Sequence, residues 1–274
     1  GRMEMQRVPQ AGYAIKGLWI SGFQRKLSFK NLLFPIKLVH SLIKARNILK
    51  HFKPDIVIGV GGYASGPTLR AAVQLKIPTL IQEQNSFPGI TNRLLASKVN
   101  KICTAYDYMN QWFPAEKTAL TGNPLRKHAV QIVGKREEAL RFFGMKDSQP
   151  IALIVGGSQG ALAINKALKA NLALLAQSEI QMIWQTGKFF EAEAVQIINE
   201  LTWKNCYVTA FIDRMDLAYA AADFVVSRAG AMAISELAVV QKAVIFVPLP
   251  TAAEDHQTSN AKRLNKVGAA EIII

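Results

Sequence analysis

Only two cysteines, Cys103 and Cys206, occur in the 274 residues, far apart and without a Cys-x-x-Cys spacing. That excludes a disulfide framework and a thiolate zinc site, and leaves two buried thiols of a reducing compartment as the simplest reading. No apolar run reaches the ~18 residues of a membrane-spanning helix. Histidine is scarce, at four, and neither an Asp-x-Asp nor a His/Cys cluster has the spacing of a metal centre. The G-x-x-x-x-G-K-[ST] and G-x-G-x-x-G fingerprints are also missing, which argues against a P-loop NTPase and a nicotinamide dehydrogenase. Acidic residues are thin in one half only: Gly1 to Arg126 holds 18 Lys/Arg against 5 Asp/Glu, and the remainder 15 against 14. The formal charge of +14 is therefore an N-terminal property, suited to either nucleic acid or an anionic lipid surface. No signal peptide is visible. The sequence opens on GRMEMQRVPQ without an initial Met and closes on AAEIII, which reads as a strand, so a piece of a longer chain is expected.

What is present is an ordered alternation of strands and helices. Half of the residues are apolar and a fifth charged, a globular balance, and the length suits two domains of about 130 residues. The boundary is expected near Arg126, giving 1–126 and 127–274. In the first, Phe23–Lys53 interleaves apolar residues with lysines and arginines. After Pro35 the helical spacing of Ile36, Val39, Ile43 and of Leu38, Leu42, Ala45, Leu49 predicts a helix packing a broad face on a sheet. Leu32, Leu33 and Phe34, ringed by cations, suit an anionic bilayer interface. IVIGV then reads as a strand leading through Gly61, Gly62 and Tyr63 into a helix with Pro67 at its first position. IPTLIQ, ending in Glu83-Gln84-Asn85, and KICTAY read as further strands, KTALTGNPLR as a last strand running into Asn123-Pro124, and Pro88–Lys98 as a helix. Arg126 either reaches a crevice or is a solvated linker residue.

The second half repeats the pattern. IALIV runs into Gly156-Gly157-Ser158-Gln159-Gly160 and a helix, an arrangement whose free N–H groups and serine hydroxyl suit a phosphate. One such loop in each half implies two α/β lobes with parallel sheets facing across a cleft. Asp223–Asn260 supplies a strand, a Gly turn, a helix, a strand and then a polar loop, TAAEDHQTSNA. Glu236, a turn and a half into that helix, is either a carboxylate for a sugar diol or an ordinary surface glutamate.

In order, GVGGYASGP, IQEQNSFPGITN, LTGNPLR, VGGSQGALAIN, FIDRMDLAYAAADFVVSRAGAMAISEL and DHQTSNA resemble the motifs of the MurG family, the bacterial GlcNAc transferases of peptidoglycan synthesis. The resemblance spans nearly the whole chain. It implies an α/β chain of the GT-B fold with two Rossmann-like lobes. It also implies inverting transfer of GlcNAc from UDP-GlcNAc to the MurNAc 4-hydroxyl of lipid I, undecaprenyl-pyrophosphoryl-MurNAc-pentapeptide. Such an enzyme sits peripherally on the cytoplasmic face of the bacterial inner membrane and takes no nucleic acid. By resemblance, Ser158, Gln159 and Gly160 touch the donor phosphates, and the backbone of Ile212 meets uracil. Ala231, Met232, Ala233, Ile234 and Ser235 form a second phosphate turn. Glu236 takes the ribose, and Gln257 with Asn260 takes the GlcNAc hydroxyls. Asn85 and Arg126 close on the donor, Gly61, Gly62 and Tyr63 face the lipid diphosphate, and Leu32, Leu33 and Phe34 dock on the membrane.

One departure bears on chemistry. The family's expected base is a histidine in a GGTGGH-type loop, and that loop is not in this sequence. His40, His51, His128 and His256 do not replace it, so these residues alone are expected to transfer little. Departing UDP is expected to be stabilised by fixed dipoles, with no cofactor and no protein-held metal. The rival readings are a glycolipid synthase, a UDP-GlcNAc 2-epimerase, and a non-catalytic module for UDP-sugar or membrane.

Overall fold

The computed structural model describes residues 4–21, 33–250 and 255–274. Leu32 of the expected membrane patch and residues 251–254 of the expected polar loop lie outside them. The chain divides into two compact units, Gly1–Gly122 and Asn123–Ile274.

The first unit runs α1 (Glu4–Gln10), α2 (Phe34–Phe52), β1 (Val57–Gly59), α3 (Ser65–Gln74), β2 (Thr79–Glu83), α4 (Ile90–Leu95), β3 (Lys101–Thr104) and β4 (Thr118–Leu120). Its strands form a parallel sheet in the order β1-β2-β3-β4. Leu69, Ala71 and Ala72 of α3 share its core with Ile81 of β2 and Ile102 of β3. Pro35 falls in the first turn of α2, where its missing N–H would have no helical acceptor anyway. Ser41, Ala45 and Leu49 are buried, but Ile36, Val39 and Ile43 stay 57, 56 and 58% exposed. The expected broad packed face is thus two stripes, because apolar spacing defines a face without saying what covers it. Helix α3 starts two residues before Pro67, which still lies in the first turn. The helix expected over Pro88–Lys98 is confined to α4.

The second unit runs α5 (Lys127–Val130), α6 (Arg136–Phe143), β5 (Ile151–Val155), α7 (Leu162–Ala176), β6 (Gln181–Gln185), α8 (Glu191–Glu200), β7 (Cys206–Thr209), α9 (Met215–Ala221), β8 (Phe224–Ser227), α10 (Ala231–Val240), β9 (Ala243–Phe246), α11 (His256–Lys266) and β10 (Glu271–Ile272). All its strand pairs are parallel, in the order β10-β9-β8-β5-β6-β7. Along β5, Ile151 and Leu153 enter one core with Leu217 and Val225, while Ala152 and Ile154 enter another with Trp184 and Ala161. Burial on both faces is why IALIV is apolar throughout instead of alternating. The polar stretch from His256 is helix α11, not loop: it buries Thr258, Asn260 and Ala261, so its inward face carries almost no hydrophobic signal. The two cysteines are free and half-buried, not fully buried; burial nonetheless pushes the Cys206 thiol up to about 12, which keeps it protonated.

An ion cluster ties α9 into this unit. Asp216, buried, accepts from Arg214 Nε at 2.9 Å and Nη2 at 3.0 Å, and from Lys135 Nζ at 2.6 Å. Hydrogen bonds from Arg214 and then Lys135 hold its carboxyl far below the usual range, against the opposing effect of burial. A lowered folded-state pKa gives stability that is complete above the unfolded value of about 3.9 and lost as pH falls below it. Asp216→Asn is expected to cost about 2–3 kcal/mol at pH 7 in urea unfolding, a difference that shrinks as pH drops below about 4.

Candidate functional site

Strand order places the site in the second unit. From β5 the chain steps outward to β6 and β7, then returns to β8 on the other side of β5 and continues to β9 and β10. The loops after β5 and β8 therefore diverge, and such a reversal leaves a crevice at the carboxyl ends of the strands. The amino ends of α7 and α10 open there, each with unpaired N–H groups and the positive end of its dipole. A cavity of 740 Å³ occupies this place, lined by Ser158, Gln159, Gly160, Lys166, Arg228 and Gln257 among others. That is the size range of small-molecule sites.

The β5–α7 loop is shaped by its glycines. Gly157 and Gly160 have φ of 83° and 75°, and the Gly160 N–H donates to the Gly157 carbonyl at 2.9 Å, closing a tight turn. A Cβ at Gly160 would lie 2.1 Å from the Thr186 carbonyl oxygen, and one at Gly187 would lie 2.4 Å from that of Gln159. Two backbones cross here with no room for a side chain. Arg228, half-buried, donates from Nη1 to the carbonyls of Val247 and Pro248 at 2.9 and 2.8 Å. Its burial lowers its pKa, the direction expected of a desolvated cation in a cavity wall.

Of the residues implied by resemblance, Ser158, Gln159, Gly160, Ala233 and Gln257 line this cavity. Gln257 Oε1 accepts from the Leu249 N–H at 2.9 Å, leaving its amide N–H groups, while Asn260, one turn on, is fully buried. Ala231, Met232, Ile234, Ser235, Glu236 and Ile212 are not in the lining. Ile234 and Ile212 belong to the core. Ser235 is held by Asn123 Nδ2 at 2.9 Å. Glu236 lies on α10 one turn beyond Ala233, neither free nor on the surface: Tyr219 donates to Oε2 at 3.0 Å and Arg126 Nη2 to Oε1 at 3.4 Å. Asn123 and Arg126 thus clip to α10, and both fall within the second unit. Burial and then the charge of Glu236 raise the Tyr219 pKa, so its hydroxyl stays a donor. Each carboxylate oxygen keeps a second acceptor position.

In the first unit, Gly61 and Gly62 both have left-handed φ, 82° and 78°, and Tyr63 beside them is exposed. Asn85 donates its N–H and Nδ2 to Glu83 Oε1 at 3.0 and 3.3 Å, and Gly89 N–H and Asn92 Nδ2 hold Oε2 at 3.1 and 2.7 Å. Glu83 is thus a buried anchor for the loop that carries Asn85. Leu33 is exposed and Phe34 half-buried at the start of α2. His40, His51 and His128 are exposed and His256 half-buried. Among the described residues no helix is long and apolar enough to cross a membrane, and no group of three or more His, Cys, Asp or Glu could hold a metal ion.

The sequence reading left out Lys166 and Arg228 as wall residues. Arg228 had a signal, its place at the carboxyl end of a strand before a Gly turn; Lys166, mid-helix, had none.

Residues 1–104 match the glycosyltransferase family 28 N-terminal domain and residues 151–274 its C-terminal domain. The chain is 51% identical over 269 residues to a Flavobacterium psychrophilum protein named UDP-N-acetylglucosamine–N-acetylmuramyl-(pentapeptide) pyrophosphoryl-undecaprenol N-acetylglucosamine transferase, covering 98% of this chain and 72% of that one. Among solved structures, Acinetobacter baumannii MurG superposes with a TM-score of 0.75 at 34% identity, over 99% of this chain and 74% of that one. A Neisseria meningitidis UDP-GlcNAc 2-epimerase bound to UDP-GlcNAc reaches 0.59 at 14% identity, over 91% and 71%; that likeness shows the fold alone.

Proposed function

This chain belongs to the MurG family of glycosyltransferases, and from that membership we propose that it transfers GlcNAc from UDP-GlcNAc to lipid I. The observation that carries this reading is the cavity at the β5/β8 reversal, where a glycine turn, two helix amino ends and two cations converge. The Ser158 loop and the α10 amino end take the diphosphate, with Lys166 and Arg228 adding charge. Glu236 takes the ribose, the Ile212 backbone meets the base, and Gln257 reaches the sugar. In the first unit, Gly61, Gly62 and Tyr63 are assigned to the acceptor diphosphate and Asn85 to the donor.

In the reaction, the MurNAc 4-hydroxyl oxygen attacks C1 of GlcNAc from the face opposite the phosphate. The C1–O bond breaks, its electron pair leaves with UDP, and the hydroxyl proton passes to a base. Loop N–H groups and the two cations stabilise the negative charge gathering on UDP, without a metal held by the protein. A positioned base contributes about 10²–10⁴-fold, and none of the four histidines present is assigned that part. The chain is therefore expected to bind UDP, with His256 not serving as the base. Turnover by it that vanishes in His256→Ala would overturn this.

The deciding assay is transfer to a lipid I analogue. Labelled GlcNAc is expected in a lipid II product only when a lipid I analogue is supplied; epimerisation of UDP-GlcNAc without acceptor would contradict the reading.

Membrane contact is proposed for the outer stripe of α2. Leu33, Ile36, Val39 and Ile43 are exposed beside Lys37, Lys44, Arg46 and Lys50, the pattern of a helix lying in an anionic interface at the cytoplasmic side. Ile36→Glu with Ile43→Glu is expected to weaken binding to phosphatidylglycerol-containing vesicles at least ~10-fold. Unchanged co-sedimentation would contradict the assignment.

A further inference from the structure

Gln185 closes β6, a strand buried along its whole length, and is itself 3% exposed. Its amide faces two loops at once. Nε2 donates to the Gly157 carbonyl at 2.8 Å, and Oε1 accepts the Ile212 N–H at 3.0 Å. One side chain therefore spans from the turn assigned to the diphosphate to the backbone assigned to the base. Glutamine suits this post because it is donor at one end and acceptor at the other; an ionised glutamate offers acceptors only.

Each hydrogen bond orients more than the atom it touches. A trans peptide is planar with its C=O and N–H antiparallel, so fixing the Gly157 carbonyl toward Gln185 turns the Ser158 N–H the opposite way. Among the described residues the Ser158 and Gln159 N–H groups donate to no protein acceptor. At the other end, with the Ile212 N–H engaged, the Ile212 carbonyl is the backbone group left for a base. A carbonyl accepts from the N3–H of uracil and repels the N3 lone pair of cytosine. The neighbourhood is stiff: Asn165 Nδ2 holds the Thr186 carbonyl at 2.7 Å, and Trp184 Nε1 holds Asn165 Oδ1 at 3.2 Å.

We propose that Gln185 is a positioning residue that couples the two halves of nucleotide recognition, setting the diphosphate turn and the base-reading backbone of Ile212 in fixed relation. The proposal rests on the assignment of those two loops to UDP.

The experiment measures dissociation constants of uridine, UDP and CDP by calorimetry for the unaltered chain, Gln185→Glu and Gln185→Leu. Gln185→Glu keeps the acceptor for Ile212 and loses the donor to Gly157. It is expected to cut the UDP-to-uridine affinity ratio about 10-fold while the preference for UDP over CDP persists. Gln185→Leu is expected to lower both ratios. Because each ratio is taken within one folded variant, general destabilisation does not mimic the pattern. Should neither variant fold, amide exchange in the unaltered chain decides: inorganic pyrophosphate is expected to slow exchange at the Ile212 N–H several-fold. Normal UDP binding with both ratios unchanged, or Ile212 exchange indifferent to pyrophosphate, overturns the coupling alone. Failure of the unaltered chain to bind UDP overturns the functional reading and the coupling with it.

Discussion

Gly160→Ala is expected to abolish UDP binding and to cost more than about 4 kcal/mol of stability, beyond the ordinary range for a point substitution. Two effects add. Residue 160 has φ 75°, where a side chain costs about 1–2 kcal/mol. Its Cβ would also sit 2.1 Å from the Thr186 carbonyl oxygen, a backbone atom pinned by Asn165 and unable to swing aside. Gly157→Ala is the internal control. It has a similar φ, 83°, but a Cβ there meets nothing within 4 Å, so only the conformational cost of about 1–2 kcal/mol applies. Urea unfolding with UDP titration checks both; equal costs for the two variants would show that the loop crossing is not the constraint described.

Glu236→Gln is expected to weaken UDP binding about 10- to 100-fold, the range for losing hydrogen bonds to a charged acceptor. The fold should survive, since glutamine keeps the shape and an acceptor for Tyr219. The proposed cause of the loss is the ribose, so a second nucleotide isolates it. In the unaltered chain, 2′,3′-dideoxy-UDP is expected to bind as weakly as UDP binds the variant, and the variant is expected not to distinguish the two nucleotides. The Arg126 contact at 3.4 Å is long and Arg126 is itself largely exposed, so a ribose hydroxyl can displace it at little cost. Additive losses would mean that carboxylate and ribose do not meet.

The sequence made the sheets legible because parallel strands buried on both faces leave β-branched runs, as at IALIV and DFVVS. The glycine turn after β5 was legible for a related reason: left-handed backbone and crossing chains demand glycine, and glycine is visible. Features that depend on what lies opposite were not. Ile36, Val39 and Ile43 have the spacing of a packed face, yet nothing in that spacing reports that only the neighbouring stripe is covered. Helix α11 buries Thr258 and Asn260, so no apolar period announced it. Lys166 and Gln185 sit inside regular elements, and their parts follow from neighbours brought in by the fold. Glu236 was singled out by its chemistry, but its grip by Tyr219 and Arg126 is tertiary.

The most direct measurement is titration of UDP into the 274-residue chain, repeated with Gly160→Ala, Glu236→Gln and Gly157→Ala. The account predicts one UDP per chain, lost in the first, weakened at least ~10-fold in the second and retained more strongly in the third than in the first. No binding by the unaltered chain, or equal binding by all four, would contradict a nucleotide site at the β5/β8 crevice.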